Sequence, residues 1–247
     1  MSLDGWGTFE DAVRAAGLED HLAMLRALVR PCILLRARAP KASDLAPGAT
    51  RLGGCPDLPK GLAWPRGPGG RPLSFVAQVR LESMQELDDE QRLPAFGLLS
   101  FFASQPDSGV VLHHVDADAV EPVPFPEDGE QMERFEPCGL LGERALSLPP
   151  PTHLLPLQSD ARDRYVDAVW LPHRTAIGAT GPVHQMLGYE GDDTDGHQDA
   201  DTELLLAVAS DGLSHMEWGD HGSLYFFVDA TELGARRFTG VRVVSSL

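Results

Sequence analysis

The last long apolar run of the chain constrains its fold most. A polar turn, Trp218–Gly222, leads into Ser223–Val228, a run dense in aromatic and β-branched side chains. Such a run is typical of a buried strand bounded by a turn. An earlier stretch, Gly97–Phe102, repeats the order of a glycine followed by apolar residues and a Phe-Phe pair. We therefore predict that residues 98–102 and 224–228 form equivalent strands.

Two further matches accompany this pair of strands. Arg51-Leu52-Gly53 resembles Met186-Leu187-Gly188, and Phe75-Val76-Ala77 resembles Leu205-Leu206-Ala207. Because the three matches occur in the same order, they predict a duplicated β-rich unit whose two copies pack as one body. The alternative is a chance likeness, since apolar strands resemble one another.

The first thirty residues have helical rather than strand periodicity. Thr8 and Asp11 resemble a capping box, which predicts a helix from Phe9 to Gly17. Apolar residues then recur at helical spacing until Pro31, which removes a backbone donor and is expected to end the second helix. A helical hairpin is therefore predicted at the start.

The remaining organisation follows from apolar runs separated by proline and glycine. In the predicted strand Pro72–Val79, Leu73, Phe75, Ala77 and Val79 alternate onto one face, and Gln78 is expected to be a buried amide that needs partners. A mid-chain helix is predicted from an N-cap at Ser159 to a stop at Pro172. The expected fold is α+β and predominantly antiparallel β, with two similar β-rich halves, N-terminal helices and a mid-chain helix.

We predict one domain over residues 1–247, because an all-β domain can reach this length unbroken. Its expected parts are the helical hairpin 1–31, a first β-rich half 32–120, a Pro/Gly-rich crossing 121–158 and a second β-rich half 159–247.

Charge and cysteine content exclude several classes of partner. A formal net charge of −17 repels nucleic acid and anionic membrane surfaces, so neither is expected as a partner. No apolar run approaches the roughly 20 residues of a membrane helix, and Met1–Asp4 does not begin a signal peptide. Cys32, Cys55 and Cys138 are far apart and odd in number, which predicts reduced thiols. The expected location is the cytoplasm.

Four motifs in a fixed order resemble a known family. They are Leu52–Pro59 with Trp64-Pro65, Pro72–Val79, His184–Tyr189 and Trp218–Gly222. Together they are similar to the YwqG-like family, a bacterial family of unknown function, over roughly residue 45 to the C-terminus. The family pattern has a proline after Tyr189, where this chain has Glu190. The resemblance implies a cytoplasmic β-rich protein and no particular reaction.

Motifs for nucleophilic, phosphate-binding and zinc-protease chemistry are absent from the sequence. The acidic loop 192–203 has oxygen ligands at alternate positions but does not fit the calcium-loop template. Six polar residues of the second half form a candidate acid–base or metal-binding set, although such residues are equally common in turns. These residues are His184, Gln185, Asp211, His215, Asp220 and His221.

Aromatic and amide side chains in the four motifs predict a ligand cleft where the halves meet. Its candidate residues are Asp57, Trp64, Gln78, His184, Gln185, Trp218, Asp220 and His221. We predict a non-enzymatic protein that binds a small molecule or a protein, without cofactor or metal. One alternative is a metal-dependent or His/Asp-based hydrolase that uses His184, Asp220 and His221. Another is an acidic inhibitor-like protein that binds a basic partner.

Overall fold

The computed structural model describes residues 5–104, 108–154, 157–180, 183–191, 198 and 201–246. The fold is α+β, as predicted. Its helices are α1 (Gly5–Ala15), α2 (Leu22–Leu28), α3 (Ser159–Tyr165), α4 (Leu171–Ala176) and α5 (Ala230–Gly234), with a π-helical turn at Val166–Trp170 between α3 and α4. None of the helices in these residues has the length and apolar character needed to cross a membrane.

The strands are antiparallel to their neighbours throughout. They are β1 (Arg30–Arg38), β2 (Arg51–Leu52), β3 (Asp57–Pro59), β4 (Ser74–Arg80), β5 (Leu98–Ser104), β6 (Ser108–His114), β7 (Val120–Pro122), β8 (Cys138–Ser147), β9 (Gln185–Met186), β10 (Thr202–Ala209), β11 (Ser223–Asp229) and β12 (Arg242–Ser245). Ten of them form one sheet in the order β12-β11-β10-β9-β1-β8-β2-β4-β5-β6, and β3 pairs with β7.

The large sheet curls so that its two edge strands meet. A Cβ placed on Gly109 of β6 would lie 2.3 Å from Cγ2 of Val243 on β12. The inner face of the curl holds the largest apolar cluster, in which the rings of Phe101 and Phe226 are 5.2 Å apart. A second cluster packs α1, α2 and the mid-chain helix against the end of β8. The two strands of the Phe-Phe pairs therefore meet at the centre of the core.

The strand order is symmetric about β1 and β8. Moving outward, β9, β10, β11 and β12 on one side correspond to β2, β4, β5 and β6 on the other. Both β10 and β4 carry an irregularity opposite the Phe-Phe pair, between Leu204 and Leu206 and between Phe75 and Ala77. As predicted, residues 98–102 and 224–228 occupy equivalent places in the sheet.

The other two predicted matches are displaced by one residue. The registers align Phe75 with Leu204 and Arg51 with Gln185, whereas the sequence comparison had aligned them with Leu205 and Met186. The left-handed pairs Gly53-Gly54 and Leu187-Gly188 fit the structural register. A sequence match between short apolar strands can be off by one residue, because hydrophobicity alone does not show which face of the strand a residue occupies.

The two central strands are exchanged between the halves. β1, at the start of the first half, pairs with β9 of the second, and β8 pairs with β2 of the first. β1 and β8 pair with each other over nine residues, from Arg30 opposite Ser147 to Arg38 opposite Gly139. The segment 121–158 is thus more than the predicted crossing, because it contains a central strand.

Local corrections concern positions where proline or a bulge acts differently from expectation. Helix α1 begins at Gly5 rather than Phe9, and Pro31 lies inside β1 because α2 already ends at Leu28. The mid-chain helix continues through Pro172 to Ala176, because the preceding π turn changes the hydrogen-bond pattern at that point. In β4 the bulge at Val76 breaks the predicted alternation, so Phe75 faces the outer cluster while Ala77 and Val79 face the inner one.

Candidate functional site

Asp57 and Gln78 lie together in a buried polar network on the outer side of the first half. Oδ2 of Asp57 accepts hydrogen bonds from Gln78 Nε2 at 2.6 Å, from Arg51 Nη1 at 2.8 Å and from Gly48 N at 2.9 Å. Gln78 also accepts from Asp57 N and donates to Ala49 O. The predicted buried amide therefore has its partners, and all of them belong to the protein itself.

His184 lies at the end of β10 and completes its backbone hydrogen bonds. Nδ1 of His184 accepts from Ala209 N at 3.1 Å, just as Oγ1 of Thr50 accepts from Arg80 N at 2.9 Å in the other half. Burial lowers the pKa of His184 to about 4, although the Asp211 carboxylate acts in the opposite direction. The imidazole is therefore neutral at pH 7, with its Nδ1 in use.

Cys138 contacts Asp211, but the two do not form an activated thiol. Sγ of Cys138 donates to Oδ2 of Asp211 at 3.9 Å, and Ser214 donates to the same oxygen through both N and Oγ at 2.8 Å. Burial, followed by the Asp211 carboxylate, raises the pKa of Cys138 to about 12. A protonated thiol beside a carboxylate lacks the thiolate that nucleophilic catalysis requires.

The two tryptophans of the candidate set lie in different clusters. Trp64 packs against Phe102 on the outside of the first half, and its Nε1 donates to Leu73 O at 2.8 Å. Trp218 packs against Phe135 in the inner core, at 5.4 Å between ring centroids. The two indole rings therefore belong to different apolar clusters of the described residues.

The histidine and aspartate residues of the last turn face solvent. Asp220, His221 and His215 are exposed, and the turn closes through a bond from Gly222 N to Trp218 O at 2.7 Å. Within the described residues, no three His, Cys, Asp or Glu side chains lie close enough to hold a metal ion. Most of the acidic loop 192–203 lies outside the described residues, so the interpretation of that loop stays a prediction.

Gln185 is the member of the candidate set that borders a cavity. The cavity lies between the mid-chain helix and the outer face of the second half, and we call it the helix–sheet cavity. Its volume is about 30 Å³, enough for one or two waters. The cavity is lined by the mid-chain helix, the end of β8, strands β10 and β11 and the motif segment His184–Tyr189. Its lining residues include Ser147, Trp170, His173, Gln185, Ala207 and Tyr225.

The motif segment is folded around the Gln185 amide. Nε2 of Gln185 donates to Leu187 O at 2.7 Å and to Tyr189 O at 3.1 Å, while Tyr189 N donates to Ser147 Oγ at 3.0 Å. These bonds hold the left-handed turn at Leu187-Gly188 against the end of β8. Gln185 thus shapes one wall of the cavity.

The helical wall carries groups that the sequence analysis missed. Nε2 of His173 donates to Leu146 O at 2.7 Å, and burial lowers the pKa of His173 below its usual value. The ring is therefore neutral, and its Nδ1 is the acceptor. The Arg174 guanidinium lies 5.1 Å from the Trp170 ring centre. Trp170 and His173 are three residues apart and share a helix face, but this spacing does not indicate which surface the helix covers.

In the first half, the position equivalent to the helix–sheet cavity is filled by side chains. The cross-strand row Gln185-Ala207-Tyr225 corresponds in register to the row Arg51-Gln78-Ser100. The first half covers its row with Asp57, which bonds to both Arg51 and Gln78. The second half has Ala207 in the place of Gln78, and Ala207 lines the helix–sheet cavity.

Comparison with known proteins adds a family but no activity. A search of the curated proteins gives no match. A scan against protein families matches residues 50–245, most of the chain, to a family described as Domain of unknown function. The match includes all four sequence motifs, β2 to β12 and the helix–sheet cavity. The chain therefore belongs to the family Domain of unknown function (DUF1963).

Proposed function

We propose that this protein is a non-enzymatic binding protein whose ligand occupies the helix–sheet cavity. The observation that carries the proposal is the contrast between the two halves, because the place that Asp57 and Gln78 fill in the first is a small pocket in the second. The cavity combines apolar walls with a few polar groups, the composition typical of small-molecule sites.

The ligand is a small molecule with an apolar body and at least one hydrogen-bond donor. Trp170 and Tyr225 supply apolar surface, and the neutral His173 ring supplies an acceptor at Nδ1. Because the cavity has room for only one or two waters, a ligand enters when α4 moves outward. The π turn at Val166–Trp170 supports such a movement, since π turns interrupt regular helices and are frequent at functional sites.

The test combines a cavity-filling variant with two binding assays. Native mass spectrometry of the purified protein and thermal shift against a metabolite library should reveal a ligand. Ala207→Leu fills the cavity and should abolish binding, whereas Ala235→Leu adds the same side chain at an exposed position and should not. A wild-type protein with no retained mass and no stabilising compound would contradict the proposal.

Binding is preferred to hydrolysis because the hydrolase residues are not assembled. His184 uses Nδ1 to bond Ala209 N, while Asp220 and His221 lie on an exposed turn. Catalysis needs a nucleophile, acid or metal held by supporting groups. Stoichiometric metal in untagged protein, lost together with hydrolytic activity in His221→Ala, would favour the hydrolase instead.

Binding of a basic protein is a second candidate function, favoured by an acidic groove of about 890 Å³. Glu127, Asp128, Glu130 and Glu133 line this groove, and the formal net charge of −17 speeds the approach of a cation. Titration with a lysine-rich peptide is the test. Replacing Glu127, Glu130 and Glu133 by glutamine should weaken binding more than three such changes elsewhere on the surface.

We also propose a cytoplasmic location, a YwqG-like relationship and an internal duplication. The three free cysteines support a reducing compartment. The four ordered motifs support the YwqG-like relationship. The symmetric strand order and the equivalent bulges support a duplicated unit in which the first strands are exchanged.

A further inference from the structure

A second pocket lies at one end of the curled sheet, away from the helix–sheet cavity. It has a volume of about 360 Å³ and lies between the segment 81–95 and Arg236, which follows α5. This volume falls in the range of roughly 300–1,000 Å³ that is typical of small-molecule sites. We call it the loop pocket. Neither the family motifs nor the proposed function involves it.

The apolar wall of the loop pocket belongs to the main core. Leu81, Met84 and Leu93 all line the pocket and are buried in the inner cluster. The segment between them is tied by its own hydrogen bonds, from Met84 N to Leu81 O at 2.9 Å and from Asp88 N to Met84 O at 3.1 Å. These side chains are almost fully buried, so this side of the pocket is a segment anchored in the core.

Arg236 provides a cation at the mouth of the loop pocket. Among the described residues its guanidinium has no ion pair or hydrogen bond, whereas the next residue, Arg237, is paired with Glu232 at 2.6 Å. Arg236 also has a φ of +56°. Glycine is the favoured residue for such a conformation at the end of a helix, so the arginine at this position carries a conformational cost.

Carboxylates face the same pocket. Asp88 is only 7% exposed and receives one hydrogen bond from the described residues, from Leu93 N to its Oδ2 at 2.7 Å. Glu86 is exposed at the rim. Gln91 lines the pocket too, and its φ of +51° is a second left-handed position occupied by a residue with a side chain. Opposite charges and an apolar wall are thus combined in one site.

We propose that the loop pocket binds a free α-amino acid with an apolar side chain. Arg236 binds the carboxylate of the ligand, because a guanidinium and a carboxylate form the strongest hydrogen bonds available here. Asp88 and Glu86 bind its ammonium group. The ligand side chain lies against the apolar side of the pocket, where the partly exposed Ala95 adjoins Leu93 and Pro94. A ligand with a carboxylate but no ammonium group is repelled by the two carboxylates of the pocket. A ligand with an ammonium group but no carboxylate is repelled by the arginine.

Calorimetric titration of the full-length protein tests this ligand class. L-leucine, L-methionine and L-phenylalanine are compared with N-acetyl-L-leucine, which lacks the ammonium, and with L-leucinamide, which lacks the carboxylate. We expect at least one free amino acid to bind. Each blocked form should bind more weakly by a factor of about ten or more. Absence of binding by all three amino acids at about 10 mM overturns the proposal, as does equal binding of the blocked forms.

Arg236→Gly separates binding from folding. Glycine adopts positive φ readily, so the melting temperature should stay the same or rise while amino-acid binding is lost. Arg237→Gln, which removes the neighbouring charge without touching the pocket, should keep the wild-type affinity. Unchanged binding in Arg236→Gly overturns the proposal. Ala207→Leu, which fills the helix–sheet cavity, should leave leucine binding intact, so the two sites are tested independently.

Discussion

Phe226 and Phe227 are neighbours in β11 but contribute to different parts of the core. Phe226 packs against Phe101 on the inner face, with 5.2 Å between the ring centroids, whereas Phe227 stacks with Tyr225 on the outer face. Both are almost fully buried. The inner phenylalanine joins the two halves through a contact between equivalent strands, so its removal affects the whole domain.

Replacing Phe226 with alanine should therefore lower the free energy of unfolding by about 3–5 kcal/mol, because transfer and cavity terms add. Urea denaturation followed by fluorescence measures the change. Phe96→Ala is the matched control, since Phe96 is 54% exposed and should cost less than about 0.5 kcal/mol. Similar losses in the two variants would show that Phe226 is not a core contact.

His184 should make stability depend on pH. An unfolded histidine has a pKa near 6.5, whereas burial lowers the pKa of His184 to about 4. Between these values the unfolded state binds more protons, so the free energy of unfolding falls as pH drops from about 6.5 to about 4. The total loss from this one group is about 3 kcal/mol.

His184→Asn isolates that contribution, because Oδ1 of asparagine takes the place of Nδ1 and cannot titrate. Urea unfolding of both proteins at several pH values should show a shallower acid loss in the variant. Parallel curves for the two proteins would mean that His184 titrates normally in the folded state.

At the scale of elements, the turns that enter β5 and β11 use glycine for the same steric reason. A Cβ on Gly97 would lie 2.4 Å from His114 O, and a Cβ on Gly222 would lie 2.4 Å from Ser246 O. His114 is the last residue of β6, and Ser246 directly follows β12. In both halves, the glycine before the Phe-Phe strand therefore packs against a backbone carbonyl at the end of the edge strand.

Gly97→Ala and Gly222→Ala should each destabilise the protein by about 1–3 kcal/mol, because the backbone has to move to admit the methyl group. Thermal unfolding compares them with Gly212→Ala, whose Cβ would meet nothing within 4 Å. A neutral effect at one position and a large effect at the other would contradict the equivalence of the turns.

The whole molecule is held together by the exchange of β1 and β8. Each central strand pairs with the other and with the short strand of the opposite half, Gln185–Met186 for β1 and Arg51–Leu52 for β8. Neither half on its own contains all the neighbouring strands with which its own strands pair. We therefore expect the two halves to unfold as one cooperative unit.

Separate expression of residues 1–130 and 131–247 should yield two fragments that do not fold alone, because each lacks one central strand. An equimolar mixture should regain the circular dichroism and elution volume of the intact chain. Cooperative unfolding of either isolated fragment would contradict the role of the exchanged strands.

The candidate site was predictable only in part. Gln78 was recognised as a buried amide because it follows apolar residues in a strand, but the identity of its partner, Asp57, depends on the fold. Gln185 was selected from a motif, and it does border the helix–sheet cavity. Trp170 and His173 were not selected, since nothing local indicates that the mid-chain helix covers the second half.

Local sequence by itself determined the strands with long unbroken apolar runs, such as β10 and β11, because their side chains are buried on both faces. Only the tertiary structure decided that β8 is central. Its outer face leaves Leu141 54% exposed and carries charged neighbours, so it lacks the pattern of a buried strand. Its hydrogen-bond partners lie about a hundred residues away in β1, and such long-range pairing leaves no mark within either segment. The cavity above Ala207 has the same origin, because an empty space is a property of surfaces that meet only in the folded chain.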